Sequence, residues 1–191
     1  QSSNQTSENI IFLNDTLFTK HNASGILRSI LKLFPLLDKI KEPSIIGRGS
    51  KYHSICHVNP WSKLNLFIPS YCFALNSEGL KVLDNLEELL HQDGFIGDFL
   101  DESPLKKNHS AFYNLVLTSL YSENSPYKWH SEAHLETSDL LNKKARCIYF
   151  EHRLSGEIGK SGCIIPTNAG NKEYILSSLR EYLNNILYFI K

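Results

Sequence analysis

Residues 146–165 read Arg-Cys-Ile-Tyr-Phe-Glu-His-Arg-Leu-Ser-Gly-Glu-Ile-Gly-Lys-Ser-Gly-Cys-Ile-Ile, and the way this stretch folds decides the class of the chain. In its first half Ile148, Phe150 and His152 alternate with Cys147, Tyr149 and Glu151, which is the period of a half-buried strand. Gly156, Gly159 and Gly162 follow as turn-formers, and Cys163-Ile164-Ile165 reads as a second strand, so the stretch predicts a hairpin closed by sulfur. Gly159-Lys160-Ser161 superficially suggests a phosphate loop. No glycine stands five residues before Gly159 and a strand rather than a helix is expected after it, so the turn reading is preferred.

Working outward, Ala111–Tyr121 fits a helix through Phe112, Leu115, Val116 and Leu120. Its Tyr113, Leu115 and Leu117 also alternate, and the Tyr, Phe, Val and Thr content favours a strand. Three helices are expected around these strands. Ile26, Leu27, Ile30, Leu31, Phe34, Leu37 and Ile40 recur at helical spacing after Ser24, with Pro35 dividing the run. Ser77 caps a second helix lined by Leu80, Leu83, Leu86 and Leu90, which Asp93-Gly94 ends. Asn171 opens a third, with Ile175, Leu179, Tyr182, Leu183, Ile186, Leu187 and Ile190 as its apolar stripe. Ile10–Leu13 is either an edge strand or an anchor for the polar start of the chain. None of these stripes can be buried alone, so the pattern predicts an α+β fold: a small antiparallel sheet with about three packed helices and two disulfides. The expected organisation is a flexible glycosylated arm over 1–23 and one α+β domain over 24–191.

The 191 residues suffice for a core, and 41% hydrophobic with 21% charged residues excludes wholesale disorder. Twenty basic residues against twenty acidic ones leave no net charge, which argues against a nucleic-acid or anionic-membrane binder. No apolar run is long enough to span a bilayer. The chain opens at Gln1 and holds no Met, as expected after signal-peptide removal or in an internal fragment. Glycosylation acceptor patterns at Asn4, Asn14, Asn22 and Asn108 favour the secreted reading. Cys56, Cys72, Cys147 and Cys163 contain no Cys-x-x-Cys, which favours disulfides over a zinc ribbon or redox pair. Three pairings are open, the local one joining Cys56 with Cys72 and Cys147 with Cys163.

Two histidine strings test for chemistry. His53 and His57, with His130 and His134, are each spaced four apart as a zinc site needs, and Glu132 lies between the second pair. That glutamate stands one residue later than in the zincin pattern, so ordinary hydrogen-bonded histidines are the favoured reading and no cofactor is expected. His130-x-Glu132 also lacks the Pro-Cys-x-x-Cys partner of the zinc deaminases. There is no Gly-x-Ser-x-Gly nucleophile elbow. Aromatic residues in loop-like stretches, Trp61, Tyr71, Tyr127 and Trp129 above all, are either anchors of a partner surface or plugs of their own loops.

The length, the arm bearing Asn4, Asn14 and Asn22, and the small even set of cysteines resemble an accessory glycoprotein of a large DNA virus. More narrowly, they are similar to the smaller glycoprotein Q subunits of the roseoloviruses among the betaherpesviruses. The resemblance implies a non-enzymatic envelope subunit that joins glycoproteins H, L and the larger Q subunit and engages a host cell-surface receptor before membrane fusion. Two other classes compete: a secreted zinc-dependent hydrolase built on the histidines, and a helical cytokine-like ligand, which requires Ala111–Tyr121 and Arg146–Arg153 to be helices.

Overall fold

The computed structural model describes residues 8–15, 17–18, 21–52, 56–95, 104–121 and 138–170. They form β1 (Ile10–Leu13), α1 (Ala23–Leu33), a 3-10 turn (Phe34–Lys39), β2 (Ser44–Gly47), β3 (Cys72–Leu75), α2 (Ser77–Asp84), α3 (Leu86–Gln92), α4 (Pro104–Asn108), α5 (Ser110–Tyr121), α6 (Ser138–Ser161) and β4 (Cys163–Pro166). The α+β class therefore stands. The sheet is mixed rather than antiparallel: in the order β1-β3-β2-β4, β3 runs against both neighbours while β2 and β4 are parallel, with Ile45 opposite Ile164.

Each strand is four residues long, and the two central ones are buried on both faces, so Ser-Ile-Ile-Gly and Cys-Phe-Ala-Leu carry no alternating signature. Alternation reappears in the packing. Ile11, Ile46, Cys72, Ala74 and Ile165 face α1 and the 3-10 turn through Ile26, Ile30 and Leu37. Phe12, Ile45, Phe73, Leu75 and Ile164 face α2, α3 and the second half of α6 through Leu80, Leu83, Leu86, Leu154 and Ile158. A third cluster lies beyond the sheet, where α4, α5, the first half of α6 and residues 52–67 bury Leu105, Phe112, Val116, Ala145 and Tyr149.

Local sequence explains the helix boundaries. Asn22 caps α1 by accepting from the Gly25 amide at 3.2 Å, and Pro35 converts the run to a 3-10 turn. Asn76, not Ser77, caps α2: its Oδ1 accepts from the Gly79 and Ser44 amides at 2.9 Å each, while its Nδ2 donates to the Ile40 and Glu42 carbonyls. The second expected helix divides at Asn85 into α2 and α3, and ends at Asp93-Gly94, where Gly94 takes φ +78°.

Three expectations are corrected. Ala111–Tyr121 lies in α5 and Arg146–Arg153 lies in α6, so the hairpin with Cys163–Ile165 does not form, and Gly156 and Gly159 are helical. Around its middle α6 is enclosed on nearly every side, residues 152–156 all being buried, which erases the one-sided stripe by which a helix is recognised. These two helices are what a cytokine-like bundle required, yet they pack beside a four-stranded sheet rather than into a bundle.

The disulfides are corrected as well: Cys56, Cys72, Cys147 and Cys163 are free thiols. From Cys147 to the end of α6 at Ser161 the helix rises about 21 Å, and the two residues that follow cannot bring Cys163 back to it. Cys72 belongs to the cluster under α1, whereas Cys56 belongs to the cluster beyond the sheet and donates its S–H to the Val58 carbonyl at 3.1 Å. The helix expected from Asn171, and the segment holding Tyr127 and Trp129, lie outside the described residues.

Burial pushes the Cys56 and Cys72 thiols up, and burial with Glu151 nearby raises Cys147 too, but Cys147 alone of these three is exposed to a reagent, on α6. Titration of unreduced protein with a chromogenic disulfide is therefore expected to label Cys147 first, Cys56 and Cys72 only on unfolding, and all four in denaturant. Fewer than four reactive thiols after denaturation would restore a bridge.

Candidate functional site

The densest polar cluster joins residues 52–70 to α6. Asn59 is fully buried, and its amide is fully used. Its Nδ2 donates to the Tyr52 hydroxyl at 2.9 Å and the His152 carbonyl at 2.8 Å, while its Oδ1 accepts from the Trp61 and Ser62 amides at 3.0 and 3.2 Å. The backbone closes the same turn through Asn59 N–H to Leu64 O and Lys63 N–H to Asn59 O, with Lys63 in the left-handed region at φ 64°. Further along, the Ile68 amide donates to Ser155 Oγ at 3.0 Å and the Ser70 amide to Glu151 at 2.7 Å.

The same tyrosine reaches the buried histidine of α6. Tyr52 Oη, which accepts from Asn59, also lies 2.6 Å from His152 Nδ1, a hydrogen bond whose direction follows the imidazole tautomer. Burial holds His152 neutral, its pKa lowered to about 3, with Phe67 and Phe112 packed around the ring. Enclosed in this way, the neutral ring serves as a buried hydrogen-bond partner of Tyr52.

A second network begins one residue later. Arg153 donates its Nε to Asp93 Oδ2 at 2.8 Å and pairs with Glu157, which Lys160 also reaches at 2.7 Å. Tyr149 donates to the same Asp93 oxygen at 2.6 Å, and burial with this carboxylate beside it drives its pKa far above the ordinary phenol range. The Arg153 guanidinium lies 4.8 Å from the Trp61 ring centre, and Trp61 also meets Phe112, Tyr149 and His109. His109 is pulled below its usual pKa, first by burial, with Asp93 acting against that and Lys63 and Arg153 adding to it.

Glycines make room for this contact. A β-carbon on Gly156 would sit 2.5 Å from Asn59 Oδ1 and 3.1 Å from Trp61, and one on Gly159 would sit 2.9 Å from Leu64 and Ser62. Gly156-x-x-Gly159 thus forms the face of α6 on which the 59–64 turn rests.

The expected site residues fall as follows. Trp61 packs within the molecule, and Tyr71 stacks on His21 at 4.1 Å, half-buried, its hydroxyl pKa raised chiefly by burial. Asn14, Asn22 and Asn108 are exposed; Asn4 lies outside the described residues. His57 is exposed, while His53, His130, Glu132 and His134 are outside the described residues, among which no three potential ligands gather to hold a metal. Tyr52, Asn59, His152, Asp93 and Arg153 were not singled out as a site. The available signal was the spacing Tyr149, His152, Arg153, Gly156, Gly159, which is one helix face once glycine is counted as an inward residue.

Compared with protein-family models, curated proteins and solved structures, the chain matches none.

Gly156→Ala is expected to destabilise the fold by about 2 kcal/mol through overpacking, despite the roughly 1 kcal/mol by which alanine favours a helix interior; urea unfolding checks this. The buried histidine predicts an acid dependence. Between the unfolded pKa of 6.5 and the folded value of about 3, the unfolded state binds a proton that folded His152 refuses, so stability falls as pH falls. The slope from this residue is about 1.4 kcal/mol per pH unit, with His21 and His109, also lowered, adding in the same sense. His152→Gln is expected to flatten the pH 6–5 slope by that amount, measured by urea unfolding at each pH.

Proposed function

We propose that the chain is a non-enzymatic assembly subunit that works by being gripped by other proteins, in the setting its resemblance implies: an envelope complex with glycoproteins H, L and the larger Q subunit that engages a host receptor. The observation that supports this reading is a concentration of exposed apolar side chains on one part of the chain. Leu13 at 47%, Phe18 at 64% and Leu31 at 52% exposure belong to β1, the turn after it and α1, with Ile10 and Leu36 beside them in sequence. Five of the nine exposed large apolar residues among those described fall within residues 10–36, and exposed apolar side chains of this size are the material from which contact surfaces are made. In the polar clusters, by contrast, Asn59, Asp93 and Arg153 are engaged with neighbouring groups of the same molecule.

The exposure of Asn14, Asn22 and Asn108 supports a glycan-bearing protein. Asn22 caps α1 with its Oδ1, and a glycan attaches through Nδ2, so the cap and a sugar are compatible.

Because Phe18 and Leu31 are largely in solvent, Phe18→Asp and Leu31→Asp leave the core intact. Co-expressed with the three envelope partners, the double variant is expected to lose co-purification while keeping the thermal midpoint of the parent. Undiminished co-purification would overturn the assembly role of this surface, and no mass loss on enzymatic deglycosylation of native material would overturn the glycan-bearing setting.

A further inference from the structure

Among the described residues the β1 edge of the sheet lacks the usual protection, and its chemistry matches itself. β1 is the outer strand, paired only with β3 among the described residues. The Asn14 amide donates to the Tyr71 carbonyl at 3.1 Å, which fixes the alternation along the antiparallel pair: Ile10, Phe12 and Asn14 direct their backbone groups at β3. The N–H and C=O of Ile11 and Leu13 therefore point outward from the sheet. Exposed edges are normally blunted by lysine, proline, a bulge or an inward charge. Ile10-Ile11-Phe12-Leu13 carries none of these, and Ile10 and Leu13 are exposed.

We propose that β1 pairs antiparallel with β1 of a second copy of this chain, centred on Phe12, to give one eight-stranded sheet across a two-fold axis. In this register Ile11 of each copy faces Leu13 of the other, and both contribute their outward N–H and C=O groups. Phe12 faces Phe12 in the close, non-hydrogen-bonded position. Phe12 already stacks on Phe73, with ring centres 4.9 Å apart and planes 15° from parallel, so the pairing extends that stack into a row of four rings. The charges choose the direction. Glu8 and Asp15 flank the strand; a parallel pair would set each against itself, whereas the antiparallel register sets Asp15 opposite Asn9 and keeps Glu8 from facing its own copy. A two-fold contact needs such a self-complementary patch. The inference rests on the assembly reading only in treating this part of the chain as adhesive; it requires no other protein.

The test uses the whole chain alone. Sedimentation equilibrium is expected to show a reversible monomer–dimer equilibrium. Amide hydrogen exchange is expected to slow about tenfold or more at Ile11 and Leu13 as the dimer fills, with Phe12, already bonded to β3, little changed. Ile11→Pro removes an outward donor that β3 does not use, and is expected to weaken the dimer about tenfold or more, with its symmetric mate. Leu13→Lys, which restores an edge charge without touching the backbone, is expected to do the same at an unchanged thermal midpoint. Phe18→Asp with Leu31→Asp is expected to leave the dimer intact, which separates this pairing from the heteromeric surface. A monomer up to roughly millimolar concentration, a dimer in which the Ile11 and Leu13 amides exchange as in the monomer, or slowing of those amides only by an added partner protein would each overturn the proposal.

Discussion

The buried amide of Asn59 is the constraint on which the far side of the molecule depends. Its Oδ1 and Nδ2 meet four groups, two backbone amides in its own turn and two acceptors on other elements, with no exposure to water. An aspartate has no N–H for Tyr52 or the His152 carbonyl, and an alanine removes all four hydrogen bonds, leaving the half-buried Trp61 and Ser62 amides without their acceptor at about 1–3 kcal/mol each. Through the amide the 59–64 turn is set against Gly156 and Gly159, Trp61 is delivered beneath Arg153, and Tyr52 is turned toward His152. The histidine, the tyrosine and the glycine pair are consequences of seating a polar turn on a helix at close range.

The ion cluster beside it does a different job. Taking Arg153 out of water costs several kcal/mol, and one carboxylate would return little of that. Here Asp93 and Glu157 share the guanidinium, and Trp61 lies against its flat surface. Asp93 is the last residue before the reversal at Gly94, so its contact with Arg153 and Tyr149 fixes where α3 stops relative to α6. Specification of that junction is the better account of the pair than net stability. The α6 helix thereby reaches both the cluster under the sheet, through Leu154 and Ile158, and the cluster beyond it, through Ala145 and Tyr149.

What could be read from the sequence follows from how one-sided each element is. α1, with one face on the sheet, was legible from its stripe, and the end of α3 was legible from the Asp93-Gly94 turn. The edge strand at Ile10–Leu13 was legible as one of two uses. β2 and β3, four residues each and covered on both faces, gave no period. In α6 the polar residues His152, Arg153 and Ser155 are buried beside apolar ones, so counting hydrophobic residues alone selected the wrong period. The site was missed for the same reason. Its members are ordinary residues until the close packing of Gly156 and Gly159 makes their hydrogen bonds compulsory, and spacing motifs for metals or nucleophiles are blind to such a contact.

The two edges of the sheet show how unevenly the fold is secured. On the β4 side Pro166 ends the strand, the Thr167 amide donates to the Gly47 carbonyl, and Asn168 exchanges two hydrogen bonds with the Gly49 backbone, at 2.7 and 3.0 Å. The turn after β4 is thereby tied back to the segment after β2, and proline removes a donor that a stray strand could use. This edge also depends on long-range closure, since β2 at Ser44–Gly47 pairs with β4 at Cys163–Pro166 only once α6 has crossed between them. Among the described residues β1 has no comparable fastening; it is held by its ladder to β3, by the Phe12 stack on Phe73 and by side chains under α1. Edge protection among the described residues is therefore concentrated at β4, while the β1 edge keeps both its apolar surface and the backbone of Ile11 and Leu13 turned outward.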